Sequence, residues 1–518
     1  MLTLALLASM SLASVQAYVW PSPQLDALEA MHWDQNRFSI APLITPCTLF
    51  IFGPANSGRS NAADWIRTAY HDMATYNITD GTGGMDASIR FAEEQARPEN
   101  AGDGFGNTLN VLQAVSNRYV SIADALALGA IMAVENCGGP EIAFRGGRVD
   151  AAVPNQPGVP EPQEGLDSHI GSFSRQGFTK EEMIGLVACG HTFGGVQHAT
   201  FPTIVPDLND SNNVDSVAHF DTTNTHFDNN IATEYISGTT QNPLVVGLND
   251  TTNSDKRIFG SDGNATMEAF AQSPDLFAST CANLFARMLD TVPKGVQLTD
   301  VTTPLPVKPN TIKLIYDAAT ETIAFSGEVR LWDVPANLFR VVRMLWDDRS
   351  GSTSTANNIT LSTGSIIHIG SRHTATWYFF NPFPLSASSG VSSIRFVVDG
   401  KLEDQQGNGF AVKDDLVFAN SSCSAPAGGK GTFDVAVRKD VAPTRVYLEQ
   451  TSRDSTSRPI VVEIDMMPKP VDPSKAYVIW SADVSSTFES YTIGAEVGGV
   501  KVTRGIGTSL NQFGECSS

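Results

Sequence analysis

The chain has 518 residues and a formal net charge of −21, with 55 acidic against 34 basic side chains. Its length exceeds one typical core, so two domains are expected. The acidic balance argues against a nucleic acid or other polyanionic partner, since nothing would neutralise phosphates. No apolar run is long enough to span a bilayer, so no membrane role is expected.

Residues 1–17, ending Val15-Gln16-Ala17, read as a secretory signal peptide: the apolar stretch is short and the last residues fit a cleavage site. A secreted, extracellular protein is the expectation. Sequons at Asn77, Asn209, Asn249, Asn264, Asn358 and Asn420 agree with a glycoprotein. Cys47, Cys137, Cys189, Cys281, Cys423 and Cys516 suit three disulfides in an oxidising compartment, and spacing alone leaves the pairing open.

Over residues 18–300 the patterns are helical. Ala62–Met73, Ser121–Asn136, Lys180–Cys189 and Ser273–Leu289 carry apolar residues at three- and four-residue spacing. A long Pro-rich connection, Pro154–Pro162, separates two of them, and such loops are functional or pinned. Val301–Pro309 reads as a stiff linker (residues 301–310). Residues 311–518 then change character. Short β-branched and aromatic segments at Thr311–Tyr316, Ile323–Leu331, Ile366–Ile369, Ile394–Val398, Pro459–Ile464 and Tyr477–Ser481 predict a β-sandwich-like domain. The fold class is therefore multidomain, mainly α and then β.

Seven of the nine histidines precede residue 230, which places the chemistry in the first domain. Arg67-Thr68-Ala69-Tyr70-His71-Asp72 sets a guanidinium and an imidazole four residues apart, on one helical face. The imidazole can shuttle a proton and the cation can stabilise a developing anion. In Leu186-Val187-Ala188-Cys189-Gly190-His191-Thr192 a lone histidine ends an apolar run, where it can hold a metal. Its other ring nitrogen then needs an acceptor, and Asp262 in Phe259-Gly260-Ser261-Asp262 is the candidate. Taken singly, each segment also fits an ordinary buried helix. Together, one histidine for acid–base work and one axial ligand are what splitting a peroxide on haem requires.

Residues 40–295 resemble the plant-type haem peroxidase superfamily, nearest its secreted fungal and plant members. Arg67-X-X-aromatic-His71-Asp72 is similar to the distal motif, and Ala188-Cys189-Gly190-His191-Thr192-Phe193-Gly194 to the proximal one. Gly147-Arg148-Val149-Asp150 matches the segment between them, and Glu94 and Asn100 fall where the family supports its distal pocket. The resemblance implies haem b with His191 on the iron and Asp262 behind it. It makes Arg67, His71 and Asn100 catalytic, with Asn100 accepting from Nδ1 of His71, and sets Tyr70 and Phe220 against the haem. It also implies a Cys47–Cys137 disulfide; Cys189 with Cys281 and Cys423 with Cys516 is one way to pair the rest, which the sequence leaves open.

Two oxygen-rich clusters supply the hard ligands that calcium prefers. Asp72, Gly84, Asp86 and Ser88 resemble a distal calcium site, and Thr192, Asp221, Thr223, His226 and Asp228 a proximal one. Either cluster alone also reads as turns and caps. Specialised donor sites are missing. Phe220 stands where relatives carry Trp, Ser60, Asp64 and Gln197 do not make a manganese site, Leu186 replaces a surface Trp, and Thr200 an Arg. The expected reaction is reduction of H2O2 with one-electron oxidation of small phenol-like donors at the haem edge. Two rivals stand beside it: thiolate ligation through Cys189, and an extracellular binding or wall-associated protein with a degenerate peroxidase domain. Trp332, Trp346, Trp377 and Trp480 lie at strand-like positions, as core or as contacts for a polysaccharide.

Overall fold

The computed structural model describes residues 22–34, 40–335, 337, 339–369, 372–424, 430–485 and 490–516. The signal peptide expected at residues 1–17 lies outside them. Helices come first: α1 (Pro23–Trp33), α2 (Asn61–Met73), α3 (Ala92–Gln95), α4 (Gly104–Val115), α5 (Ile122–Asn136) and α6 (Leu166–Gln176). They continue as α7 (Lys180–Gly190), α8 (Asn230–Ser237), α9 (Ser254–Phe259), α10 (Ala265–Gln272) and α11 (Pro274–Leu289). A small hairpin, β1 (Gly195–Gln197) with β2 (Val217–His219), separates α7 from α8. The four helices expected from apolar spacing are α2, α5, α7 and α11. None of the helices among the described residues is long and apolar enough to cross a membrane.

Apolar side chains surround α5, which is buried along almost its whole length and forms the axis on which α2 and α4 pack. Its first amides, those of Ile122 and Ala123, donate to the Asp150 carboxylate at 3.1 and 2.9 Å. Arg148 is buried beside it, bonded to Asp124 at 3.0 Å and to the Leu289 carbonyl at 3.0 and 2.7 Å. The Gly147–Asp150 segment is thus a clamp between the start of α5 and the end of α11. Disulfides join Cys47 to Cys137, Cys189 to Cys281 and Cys423 to Cys516.

The second half is built from strands β3 (Val307–Asp317), β4 (Thr322–Trp332), β5 (Val342–Asp347), β6 (Thr353–Thr360), β7 (Ser362–Ile369) and β8 (His373–Ser386). Next come β9 (Ser393–Val398), β10 (Lys401–Glu403), β11 (Phe410–Ala411), β12 (Leu416–Ala419) and β13 (Gly431–Arg438). The last are β14 (Arg445–Arg453), β15 (Pro459–Asp465), β16 (Met467–Pro468), β17 (Tyr477–Val484), β18 (Tyr491–Val497) and β19 (Val500–Thr508). An eight-stranded sheet runs β16-β17-β13-β12-β3-β4-β8-β7 and is antiparallel except where β12 meets β3.

Two smaller sheets pack on the long one, so the sandwich-like arrangement expected encloses two cores. One core, holding Phe325, Phe380, Met344 and Phe396, lies between the long sheet and β10-β9-β5-β6. The other, holding Phe418, Phe433, Leu448 and Ile493, lies between the long sheet and β15-β14-β18-β19. β13 serves both, because Ala436 faces the first core while Val435 and Val437 face the second.

The segment read as a linker up to residue 310 is already strand from Val307, paired with Leu331. Its prolines suggested otherwise. However, β12 joins β3 only at Ile315 and Tyr316, so Pro309 sits where β3 has one neighbour and a missing N–H is tolerated.

Helix α1 is wedged between the halves. Buried Arg330 pairs with Glu29 and Asp34, and buried Lys308 pairs with Glu29 and, at 2.7 Å, with Asp26. Trp33 meets Trp332 edge-on at 5.0 Å. A second junction lies at the β14–β15 turn. There Arg453 donates to the Gln113 carbonyl at 2.6 Å and to the Ser116 hydroxyl at 2.9 Å, at the end of α4.

Candidate active site

Ser60 starts α2 by accepting from the Ala63 amide, and four turns of helix then carry Trp65, Ile66, Ala69 and Met73 into the core. The same register sets Arg67 and His71 side by side. Nδ1 of His71 lies 2.7 Å from Oδ1 of Asn100, whose Nδ2 donates to the Glu94 carbonyl at 2.8 Å. That second bond fixes the amide orientation. Oδ1 must then accept from Nδ1–H, which leaves Nε2 of His71 with its lone pair. Burial, and then the Arg67 charge, push the His71 pKa down to about 3, so the imidazole is a neutral base at ordinary pH.

Arg67 donates to the Ala101 carbonyl at 3.0 Å and lies over the Phe105 ring at 4.3 Å. Loss of hydration pushes its pKa down to about 10, yet the side chain is only half-buried. Phe105, at the start of α4, also packs 4.8 Å from His71; nothing in its own neighbours in sequence marked it. Tyr70 turns instead to Phe173 of α6, at 6.0 Å, and touches His71 edge-on.

On the other side, Thr179 and Glu182 close a capping box at the start of α7, and His191 is its C-cap. Phe220 stacks on the His191 ring at 4.0 Å and 10°. The turn after His191 runs so close to α2 that a Cβ on Gly194 would fall 2.8 Å from the Ala63 side chain. The two histidine segments are therefore neighbours in space. Nδ1 of His191 is bonded to Oδ2 of Asp255 at 2.8 Å, which leaves Nε2 free on a partly exposed ring. Cys189 is in a disulfide, so it offers no thiolate to a metal.

Asp262 does not reach His191. It accepts from the amide and hydroxyl of Thr266, at 3.0 and 2.6 Å, and so starts α10. Asp255 takes its place because α9 buries Asp255, Ile258 and Phe259 on one face, whereas Asp262 follows Gly260, beyond the helix. That i, i+3, i+4 pattern was the available signal. Asn242 supports Asp255 by donating to the same Oδ2 at 2.8 Å.

The oxygen-rich clusters also form. Asp72 accepts from the amides of Asp86, Ala87 and Ile89 at 3.0, 2.8 and 3.1 Å, tying the distal loop to α2. Asn155, from the Pro-rich connection, puts its Nδ2 within 2.9–3.0 Å of both Asp86 oxygens and Ser88 Oγ. Gly84 packs where a Cβ would lie 2.7 Å from the Thr291 carbonyl. In the proximal set, Thr192 bonds to the Cys189 carbonyl, Thr223 to Asp228, and the Thr223 amide to Asp221. Oδ2 of Asp221 is buried without a donor, and burial pushes this carboxyl up to about 7. The His226 ring packs against Gly138, and its amide donates to the Thr223 carbonyl at 2.7 Å. The described residues contain no group of three or more His, Cys, Asp or Glu side chains arranged around one metal position. Ser60, Asp64 and Gln197 form no acidic set; Asp64 is paired with Arg59 at 3.1 Å.

The peroxidase family matches residues 53–273. A WSC domain-containing protein of Arthroderma benhamiae is 34% identical over 387 residues, which cover 73% of this chain and 53% of that protein. Peroxisomal L-ascorbate peroxidase 5 of Arabidopsis thaliana is 39% identical over 141 residues, covering 27% of this chain and 49% of that enzyme. Mitochondrial cytochrome c peroxidase of Yarrowia lipolytica is 33% identical over 135 residues, covering 25% and 39%. The chain thus spans about half the length or less of these relatives. With the family match lying across both histidine segments, residues 53–273 form a domain of the plant-type haem peroxidase kind.

Proposed function

We propose that the protein is a secreted peroxidase that reduces H2O2 and oxidises small phenol-like donors. One observation carries the reading: His71 is held neutral with Nε2 free beside Arg67, while His191 is held by Asp255 with Nε2 free on the adjoining segment. Haem fits these residues, since His191 keeps Nε2 free on a partly exposed ring and the half-buried Arg67 guanidinium has no carboxylate bonded to it among the described residues. When bound through His191, haem supplies the iron that passes two electrons to peroxide and regains them singly from two donors.

The protein's own groups handle protons and charge. Nε2 of His71 takes the proton of the bound peroxide and returns it to the departing oxygen, which leaves as water. Arg67 stabilises the negative charge that grows on that oxygen. Asn100 keeps His71 in the working tautomer, and Asp255 does the same for His191.

Calcium at the proximal cluster belongs to the same proposal, because the donor-free Asp221 oxygen beside Thr223 and Asp228 suits a hard cation. At the distal cluster the Asn155 amide already satisfies Asp86 and Ser88. The intact pairs count against a degenerate scaffold. Trp377 is buried, and Trp332, Trp346 and Trp480 are half-buried against the cores. An absorption spectrum followed by peroxide titration with phenols, Mn2+ and ascorbate tests the proposal. A haem band that peroxide alters and phenols restore supports it; purified protein that takes up no haem refutes it.

A further inference from the structure

In the distal cluster, hydrogen-bond donors stand where a cation would need open oxygens. Both oxygens of the Asp72 carboxylate accept backbone amides, those of Asp86, Ala87 and Ile89. The Asp72 carbonyl accepts from Thr75 Oγ1 at 2.8 Å, and that hydroxyl accepts in turn from the Gly84 amide at 3.0 Å. Oδ1 of Asp86 accepts from the Ser88 amide at 3.1 Å. What remains, the two Asp86 oxygens and Ser88 Oγ, converges on one atom, Nδ2 of Asn155. An amide NH2 group has two hydrogens to give and no lone pair for a metal. Turned over, the same amide would set its own oxygen against both oxygens of a buried carboxylate, which only a cation between them would hold together.

We propose that Asn155 takes the place of a distal calcium ion in this chain: its amide gathers Asp86 and Ser88 and so ties the distal loop to α2 without metal. The main chain is built to present that amide. The Asn155 N–H donates to Oε1 of Glu94 on α3, and its carbonyl accepts from Arg97 just beyond that helix. The same Glu94 carries the carbonyl that orients Asn100 toward His71. The long Pro-rich connection is therefore pinned at the residue that closes the cluster, beside Asp72 and His71. The calcium claim stands on the hydrogen bonds alone; the role of Asn155 as a positioning residue for His71 rests on the peroxidase reading.

The test counts calcium per chain by elemental analysis after dialysis of the full chain against calcium. Asn155→Asp removes the donor and adds a third carboxylate to Asp72 and Asp86, so it should bind one calcium ion more than the parent. Its unfolding midpoint should also rise with calcium by several degrees more than the parent's. Equal counts in the parent and Asn155→Asp overturn the proposal. Asp86→Asn keeps the test decisive if the first variant folds poorly: the parent's count should survive this change, and a loss of one ion overturns the proposal. In stopped flow, haem-loaded Asn155→Asp stripped of calcium should react with peroxide about tenfold more slowly than the same variant with calcium restored, since a displaced base is a poor one. A rate indifferent to calcium, with the extra ion bound, would overturn the positioning role. A chain that takes up no haem but gains the ion in Asn155→Asp would sink the peroxidase reading alone.

Discussion

Replacing Asp255 by Asn isolates the charge behind His191. The carboxylate is 1% exposed, and its Oδ2 accepts both Nδ1–H of His191 and Nδ2–H of Asn242, each at 2.8 Å. An amide oxygen in the same place can still accept both bonds but carries no charge. Hydrogen bonds to a charged group contribute about 1.5–3 kcal/mol, against about 0.5–1.5 for neutral ones. The loss is therefore about 1–2 kcal/mol, a roughly 5- to 30-fold weaker hold on the metal through His191. Titrating haem into apoprotein and following the absorption band gives the dissociation constant directly. Asp262→Asn is the control. Its bonds run to Thr266 at the start of α10, so haem affinity should stay within about twofold. Unchanged affinity in the first variant, or a tenfold loss in the second, would refute the assignment.

His71→Leu should slow the reaction with peroxide by about 10²–10⁴-fold in stopped flow while haem stays bound; an unchanged rate rejects the general-base role. Chelation of calcium should lower the unfolding midpoint by a few degrees, and Asp221→Asn should remove that sensitivity; a midpoint indifferent to chelator rejects the proximal cation. The last prediction concerns pH. Asp34 faces Arg330, Lys308, Glu29 and Asn310, and burial outweighs the cations, raising its pKa to about 6. The folded state then holds the proton more tightly than the unfolded one, so this group's contribution is present at low pH and is lost as pH rises from about 4 through 6. Denaturant unfolding of Asp34→Asn should show a variant that gains on the parent across that window. A difference independent of pH rejects the assignment.

The β half does more than follow the helical half along the chain. Arg90 donates to the Thr456 carbonyl at 3.0 Å and to the Ala87 and Ala151 carbonyls. The Ala87 amide is in turn bonded to Asp72, next to His71. Arg453 holds the far end of α4, whose first turn carries Phe105 against His71 and Arg67. The β14–β15 turn therefore braces two of the elements that fix the distal side. Burying Arg330 and Lys308 against α1 costs hydration that only complete pairing offsets, which makes this junction specific in its geometry.

What the sequence made legible follows from where its information is local. Arg67 and His71 share one helix, so a four-residue spacing was enough to place them together. His191 ends an apolar helix and could be read in the same way. The β half declared its strands through alternation, but Pro309 disguised the start of β3, since whether a proline faces a neighbouring strand is decided by pairing, not by composition. The partner of His191 was harder still. Asp255 and Asp262 are seven residues apart, and both follow His191 by more than sixty. Choosing between them required knowing that the helix stops at Gly260, so that the first carboxylate lies on the buried face with Ile258 and Phe259 and the second caps the next helix. Phe105 left no signal, and Asn155 only that its Pro-rich loop is pinned, because their roles exist only after a loop and a helix have been brought to α2. Residues whose function is set by their own helix can be read from one sequence; residues recruited by packing cannot.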